Sequence, residues 1–200
     1  TTAADVREVA RTAADLGMRA CVPPRYAPTA VGAAPAVETV TVVGFPHGHH
    51  QPAVTASEAR RAVADGASEV DTVAALGPLL AGEDGATAAD IGVVVDAVDV
   101  PVKVIVEAPL LEERQLRRVC AAARDAGADV QKTATGFSEG GATVADVDVM
   151  SEYLPVKASG GVDSWPAARA MFEAGAERVG ASSGDVIVRE YLDAADTGGT

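Results

Sequence analysis

Lysine is almost missing from this chain. Of 16 basic residues only three are lysine, at positions 103, 132 and 157, and every other cation is arginine. Cysteine is scarce as well: Cys21 and Cys120 are too few and too far apart for a disulfide framework or a metal knuckle. That usage points to a reducing, cytoplasmic setting. No apolar run approaches the roughly 20 residues of a membrane-spanning helix. No signal peptide or lipidation motif is visible, although the chain opens at Thr1 rather than at a methionine. Positive charge is outnumbered, with a net charge of −13 and a pI near 4.5. A chain so acidic is not a nucleic-acid binder and has no affinity for an anionic membrane surface, because both demand cations. The charge serves solubility. An acidic, alanine-rich composition poor in lysine fits adaptation to high salt, and it fits GC-rich codon usage equally well.

What is present is a globular chain. Two hundred residues, 48% of them hydrophobic, with a mean hydropathy of +0.15, are enough for one domain spanning 1–200 around a real core. Four segments share one local grammar, centred on Gly17, Gly66, Gly127 and Gly175. Each is the end of an amphipathic helix, a glycine in the position that favours a left-handed turn, then a short apolar strand. Repetition of that unit describes alternating α and β elements and a parallel sheet. The periodicity predicts helices near residues 3–16, 55–65, 87–97, 112–126, 144–153 and 165–174, with a last helix running to about 194. Strands are expected at 18–22, 39–43, 69–73, 102–106, 129–132, 156–158 and 178–179. Thr2 is the expected N-cap of the first helix.

That makes seven strands in a chain that begins with a helix. The expected fold is a TIM (β/α)8 barrel whose first strand lies upstream of Thr1 and is missing from the chain. An open doubly wound sheet fits less well, because no Gly-x-Gly-x-x-Gly follows the first strand.

The three lysines all fall inside these strands, where lysine is seldom buried without a reason. In Val102–Glu107, alternation puts Lys103, Ile105 and Glu107 on one face and the valines on the other. Lys103 and Glu107 are therefore a candidate buried ion pair. Lys132 and Lys157 stand at the ends of consecutive strands, on the face where barrel active sites form. Neighbouring ammonium groups lower one another's pKa. Bringing an amine from about 10.4 to about 7 requires about 5 kcal/mol, within reach of burial plus one like charge. The product is a neutral amine able to attack a carbonyl, which guanidinium cannot do. Asp71, at the end of another inward-facing strand, is the matching acid, able to hold the Lys157 ammonium and relay protons.

Two glycine-rich turns follow the last two strands: Ser159-Gly160-Gly161-Val162 and Gly180-Ala181-Ser182-Ser183-Gly184. Bare N–H groups and hydroxyls in such turns form phosphate sites, and Gly136, just beyond Lys132, is placed to contribute. His47, His49 and His50 cluster in one loop but lack Asp or Cys at ligand spacing, so no metal is assigned to them.

With these residues in place, the chain resembles the deoxyribose-phosphate aldolases, a family of class I aldolases. The resemblance runs from end to end. It rests most of all on the blocks Gly127-Ala-Asp-Val-Gln-Lys-Thr-Ala-Thr-Gly-Phe and Val156-Lys-Ala-Ser-Gly-Gly-Val, with Ala20-Cys-Val-Pro-Pro-Arg-Tyr, Glu69-Val-Asp, Val102-Lys-Val-Ile-Val-Glu and Val179-Gly-Ala-Ser-Ser-Gly. It implies that Lys132 forms the Schiff base, that Lys157 perturbs its pKa and that Asp71 relays protons. It further implies a phosphate site at Thr135, Gly136, Gly160, Gly161, Gly180, Ser182 and Ser183, with Cys21 and Lys103 as accessory residues. The implied reaction is reversible cleavage of 2-deoxy-D-ribose 5-phosphate to acetaldehyde and D-glyceraldehyde 3-phosphate, with no cofactor and no metal. A homodimer or homotetramer is expected.

Some positions depart from the family pattern. Asp163 stands where arginine is frequent near the phosphate, Ala134 replaces a common serine, and Gln131 interrupts an apolar strand. Asp163 keeps open a related barrel aldolase for another phosphosugar or aldehyde, and the missing first strand keeps open a non-catalytic barrel that binds a phosphometabolite.

Overall fold

The computed structural model describes residues 1–197. Helix α1 (Ala3–Leu16) begins at the expected cap: Thr2 Oγ1 accepts the Asp5 N–H at 3.3 Å, and Asp5 accepts the Thr2 N–H at 2.7 Å. The chain then alternates strands β1 (Ala20–Val22), β2 (Thr39–Val43), β3 (Glu69–Val73), β4 (Val102–Ile105), β5 (Val130–Lys132), β6 (Val156–Ser159) and β7 (Ala176–Gly180) with helices. The helices are α2 (Ala27–Ala33), α3 (Pro52–Ala64), α4 (Leu76–Leu80), α5 (Asp84–Val95), α6 (Glu113–Asp125), α7 (Val144–Ser151), α8 (Trp165–Glu173) and α9 (Gly184–Thr197). All four glycines of the repeated helix–Gly–strand unit adopt positive φ, from 66° at Gly17 to 103° at Gly175.

Helices α2 and α4 were not foreseen. Each is short and carries both Pro and Gly (Pro28 and Gly32, Gly77 and Pro78), so neither shows the apolar period of an amphipathic helix. The other elements match expectation to within a few residues.

All seven strands among the described residues are parallel, and their order in the sheet is their order in the chain. A doubly wound sheet reverses its order at a switch point; this one does not. The sheet curls instead. Arg178 on β7 reaches Glu69 on β3 at 2.7 Å across the interior, although β7 and β3 are four strands apart. The architecture is thus a curled parallel seven-stranded sheet, with β1 and β7 as its edges.

Alternation divides the sheet into two faces. Val104, Val156 and Ala158 pack outward against Leu116, Val119, Cys120 and Met150 of the surrounding helices. The inner face carries charge. Among the described residues, Glu69, Asp71 and Glu107 are the only buried acids, and Lys103 and Lys132 the only buried bases. The remaining acidic residues lie at or near the surface, so the net charge is a property of the exterior.

One outward residue breaks the apolar layer. Gln131 is fully buried, paired in register with Val104 on one side and Val156 on the other. Neither atom of its amide has a hydrogen-bond partner. A buried amide without partners costs about 1–3 kcal/mol. Gln131→Leu is therefore expected to stabilise the fold by about that amount, read as a higher urea midpoint at unchanged m-value.

Candidate active site

Strand register assembles the site. Asp71 pairs with Lys103 across β3 and β4, and Lys103 with Val130 on β5. One row higher, Ile105, Lys132 and Lys157 stand side by side on β4, β5 and β6. Three amines thereby converge on a single carboxylate. Asp71 Oδ1 accepts from Lys103 Nζ at 2.5 Å. Its Oδ2 accepts from Lys132 Nζ at 3.3 Å and faces Lys157 Nζ at 3.8 Å. Lys132 and Lys157 thus share one oxygen atom.

This arrangement joins Lys132, Lys157 and Asp71 as the sequence suggested, with three corrections. Lys103 is not the partner of Glu107. It binds Asp71 and Glu69, the latter at very short range, because strand pairing places β3, not the end of its own strand, beside its ammonium. Asp71 sits in the middle of β3 rather than at its end. Lys157 is the second residue of β6 rather than its last, and it stands level with Lys132 because the two pair directly in the β5–β6 register.

The electrostatics follow from this crowding. Burial opposes ionisation of Asp71, but the ammonium groups of Lys157, Lys103 and Lys132 outweigh it and hold the carboxyl below its ordinary range. Glu69 behaves alike: burial raises its pKa, and Lys103 and Arg178 more than reverse that. Lys157 moves the other way. Burial favours its neutral form, Asp71 resists, and Lys103 and Lys132 add like-charge repulsion, so its pKa falls below the ordinary 10.5.

Above the lysines, hydrogen bonds stitch the ends of β5 and β6 together. Thr133 Oγ1 donates to Ser159 O at 2.8 Å and accepts the Ser159 N–H at 2.9 Å, while Ser159 Oγ donates to Ala134 O at 2.8 Å. The mouth is a cleft of about 690 Å³ in which Lys132 and Lys157 meet Gly136, Gly160, Gly161 and Ser182. Thr135, Gly180 and Cys21 line it too, and Cys21 is exposed. Ser183 is not part of this lining; its carbonyl accepts the Ile187 N–H at the start of α9. The Thr135 N–H is turned away to Glu107, which leaves Thr135 only its hydroxyl to offer a ligand. Asp163 is exposed and lies outside the lining. His47 and His49 stack ring on ring at 5.8 Å in the loop after β2.

Sequence reasoning missed Glu69, whose signal was present: it lies two residues before Asp71, on the same strand face. It also missed the edge-to-face pair Phe45 and Phe137, 5.2 Å apart at the mouth. Nothing local links residues 92 positions apart.

A curled parallel sheet with paired lysines and a carboxylate at its centre, opening between glycine-rich turns, defines the class of lysine-bearing barrel-like lyases. No protein-family model matches the chain, but its relatives are specific. It is 56% identical to the deoxyribose-phosphate aldolase of Haloarcula marismortui, over 96% of this chain and 82% of that protein. It is 53% identical to that of Natronomonas pharaonis, over 96% and 88%. Among solved structures, an aldolase designated QR15 superimposes with a TM-score of 0.94 at 33% identity, covering 98% of this chain and 91% of the other. The tetrameric deoxyribose phosphate aldolase of Aeropyrum pernix gives 0.88 at 32% identity, covering 97% and 86%. The chain belongs to the deoxyribose-phosphate aldolase family.

Gly180 illustrates how tightly the amines are seated. A Cβ at this position would stand 2.5 Å from Lys157 Cε. Gly180→Ala is expected to push the Lys157 stem aside and lower kcat of aldol cleavage roughly 10²-fold, since misplacement by about 1 Å has that effect; steady-state assay with product detection checks it.

Proposed function

We propose that this protein is a class I aldolase that reversibly cleaves 2-deoxy-D-ribose 5-phosphate to acetaldehyde and D-glyceraldehyde 3-phosphate. The observation that carries this reading is the convergence of Lys103, Lys132 and Lys157 on the fully buried Asp71. The names of its relatives supply the substrate.

In this reading burial shifts Lys157 toward its neutral form, in which it can accept a proton as Lys132 reacts. The free amine of Lys132 adds to C1 of the open-chain sugar, and the carbinolamine loses water to give an iminium. Acetaldehyde carries two of the five carbons, so the bond that breaks is C2–C3. The C3 hydroxyl gives its proton to the Asp71–Lys157 pair and becomes the aldehyde of glyceraldehyde 3-phosphate. The C2–C3 electron pair moves into the iminium to form an enamine. Protonation at C2 and addition of water release acetaldehyde and restore the amine. The electron sink is the iminium itself, so the reading assigns no cofactor and no metal. Gly136, Gly160, Gly161, Gly180 and Ser182, with the Ser183 turn at the start of α9, form the phosphate end of the mouth.

The same reading makes the protein a single-domain (β/α)8 barrel, with an eighth strand seated between β1 and β7. A second cleft of about 730 Å³ supports it, running between those two edges and lined by Met18, Arg19, Arg178 and Val179. Lys103 and Glu69 face this opening as well. A homodimer or homotetramer in the cytoplasm completes the proposal. The Aeropyrum pernix structure is described as a tetramer. Among the described residues no helix is long and apolar enough to cross a membrane.

Reduction with borohydride in the presence of 2-deoxyribose 5-phosphate is expected to add covalent mass at Lys132, found by peptide mapping and absent in Lys132→Ala. Mass on Lys157 instead would reassign the nucleophile. Binding without any trapped mass would favour the non-catalytic barrel.

The pH profile tests the role of Lys157. Its pKa is depressed in the folded protein, so its working neutral form is lost as pH falls through that depressed value. Turnover should fall there, well above the pH at which Asp71, itself lowered from 3.8, takes up a proton. Lys157→Leu should lower kcat by about 10²- to 10⁴-fold, and the residual rate should lack that limb.

A further inference from the structure

Glu107 is the one non-glycine residue at positive φ among the described residues, with φ 52° and ψ 52°. That left-handed conformation brings an L side chain too close to its own backbone, and such residues persist where surrounding contacts over-determine them. The contacts here are specific. The Glu107 carboxylate is buried. It accepts the Thr135 N–H at 3.1 and 3.3 Å and the Ser138 hydroxyl at 2.9 Å. Backbone bonds pin its flanks: Val106 N–H donates to Lys132 O at 3.0 Å and Ala108 N–H to Thr133 O at 2.8 Å. The segment that leaves Lys132 is thus held first by the main chain of Val106 and Ala108 on either side of the strained residue, and then by the Glu107 side chain.

Of that segment, running from Thr133 to Ser138, Thr135, Gly136 and Phe137 line the mouth together with Gly160 and Gly161. Beyond Ala134 it has no strand or helix partners. Its internal bond, Phe137 N–H to Thr135 Oγ1 at 3.1 Å, closes only a local turn. The described bonds that tie Thr135 and Ser138 to the rest of the protein are those to Glu107. The carboxylate itself lies outside the residues that line the mouth, so it acts on the segment and not on a bound sugar.

We infer that Glu107 is a positioning residue for the phosphate end of the substrate: by gripping Thr135 and Ser138 it holds Gly136 at the mouth, and it thereby sets the preference for a phosphorylated over an unphosphorylated sugar. This rests on the aldolase reading given above. The left-handed turn is what it takes to aim the side chain from the end of β4 at the segment beyond β5. A carboxylate suits the task because it presents acceptors only, to the two donors of Thr135 and Ser138.

Glu107→Gly isolates the role, since glycine adopts positive φ freely and the variant loses the grip without backbone strain. Its KM for 2-deoxyribose 5-phosphate should rise about tenfold or more, the effect of losing one or two hydrogen bonds. Its kcat/KM for 2-deoxyribose, and its borohydride trapping of acetaldehyde at Lys132, should stay within about twofold of wild type. Glu107→Gln, which keeps one acceptor, should fall between. Equal loss on both sugars, or no change on either, overturns the assignment. Failure of wild type to trap acetaldehyde would count against the aldolase reading instead. Calorimetric titration with inorganic phosphate then tests Glu107 separately: weaker binding by Glu107→Gly upholds it, and equal binding overturns it.

Discussion

A single carboxylate, on Asp71 and out of contact with water, organises the interior by attracting ammonium groups from three strands. Buried charge is tolerable only when it is paired, because removal from water costs several kcal/mol per ion and one partner's loss leaves the other stranded. Here the pairing is a network. Asp71 faces Lys103, Lys132 and Lys157, and Glu69 faces Lys103, Arg19 and Arg178, so cations outnumber carboxylates at both levels. That excess of positive charge, together with burial, lowers the pKa of Lys157. The feature that makes the site chemically useful is therefore a consequence of how its charges are counted and buried.

The remainder of the fold can be read as support for that cluster. Valines on the outer faces of β4 and β6 seat the sheet against α6 and α7 and leave the inner faces for charged groups. Thr133 and Ser159 lock the ends of β5 and β6 to each other, which keeps Lys132 and Lys157 from sliding past one another. Gly180 leaves room for the Lys157 stem, and Gly141 leaves room for the Gly160 carbonyl, 2.4 Å from where its Cβ would be. Apart from Glu69, Asp71 and Glu107, the acidic residues that set the net charge are kept at or near the surface, where water and counter-ions screen them. The site's charge balance is thus independent of the surface's.

Much of this was legible along the chain. The N-cap at Thr2, the helix-ending glycines and the alternation in Val102–Glu107 are encoded within a few residues of where they act, and they located most elements. The short helices α2 and α4 were hidden by their Pro and Gly. Lys103 was correctly placed on the inner face and given the wrong partner, since alternation names a face and says nothing about which neighbouring strand comes closest. Gln131 was recognised as an intruder in an apolar strand, but only the packed helices show that its amide has no partner.

The sequence by itself determined the alternation of helix and strand, the faces on which Lys103, Lys132, Lys157 and Asp71 lie, and the glycines at which the chain can turn. These depend on backbone sterics and on side-chain periods of two or about 3.6 residues, both of which are local. Only the tertiary structure decided that Asp71 should be shared by residues 32, 61 and 86 positions away, that Glu69 should meet Arg178 across the interior, and that Glu107 should grip Thr135. Those choices follow from the register and curl of a parallel sheet, which no short window of sequence contains, because each strand's height is set by its hydrogen bonds to the next.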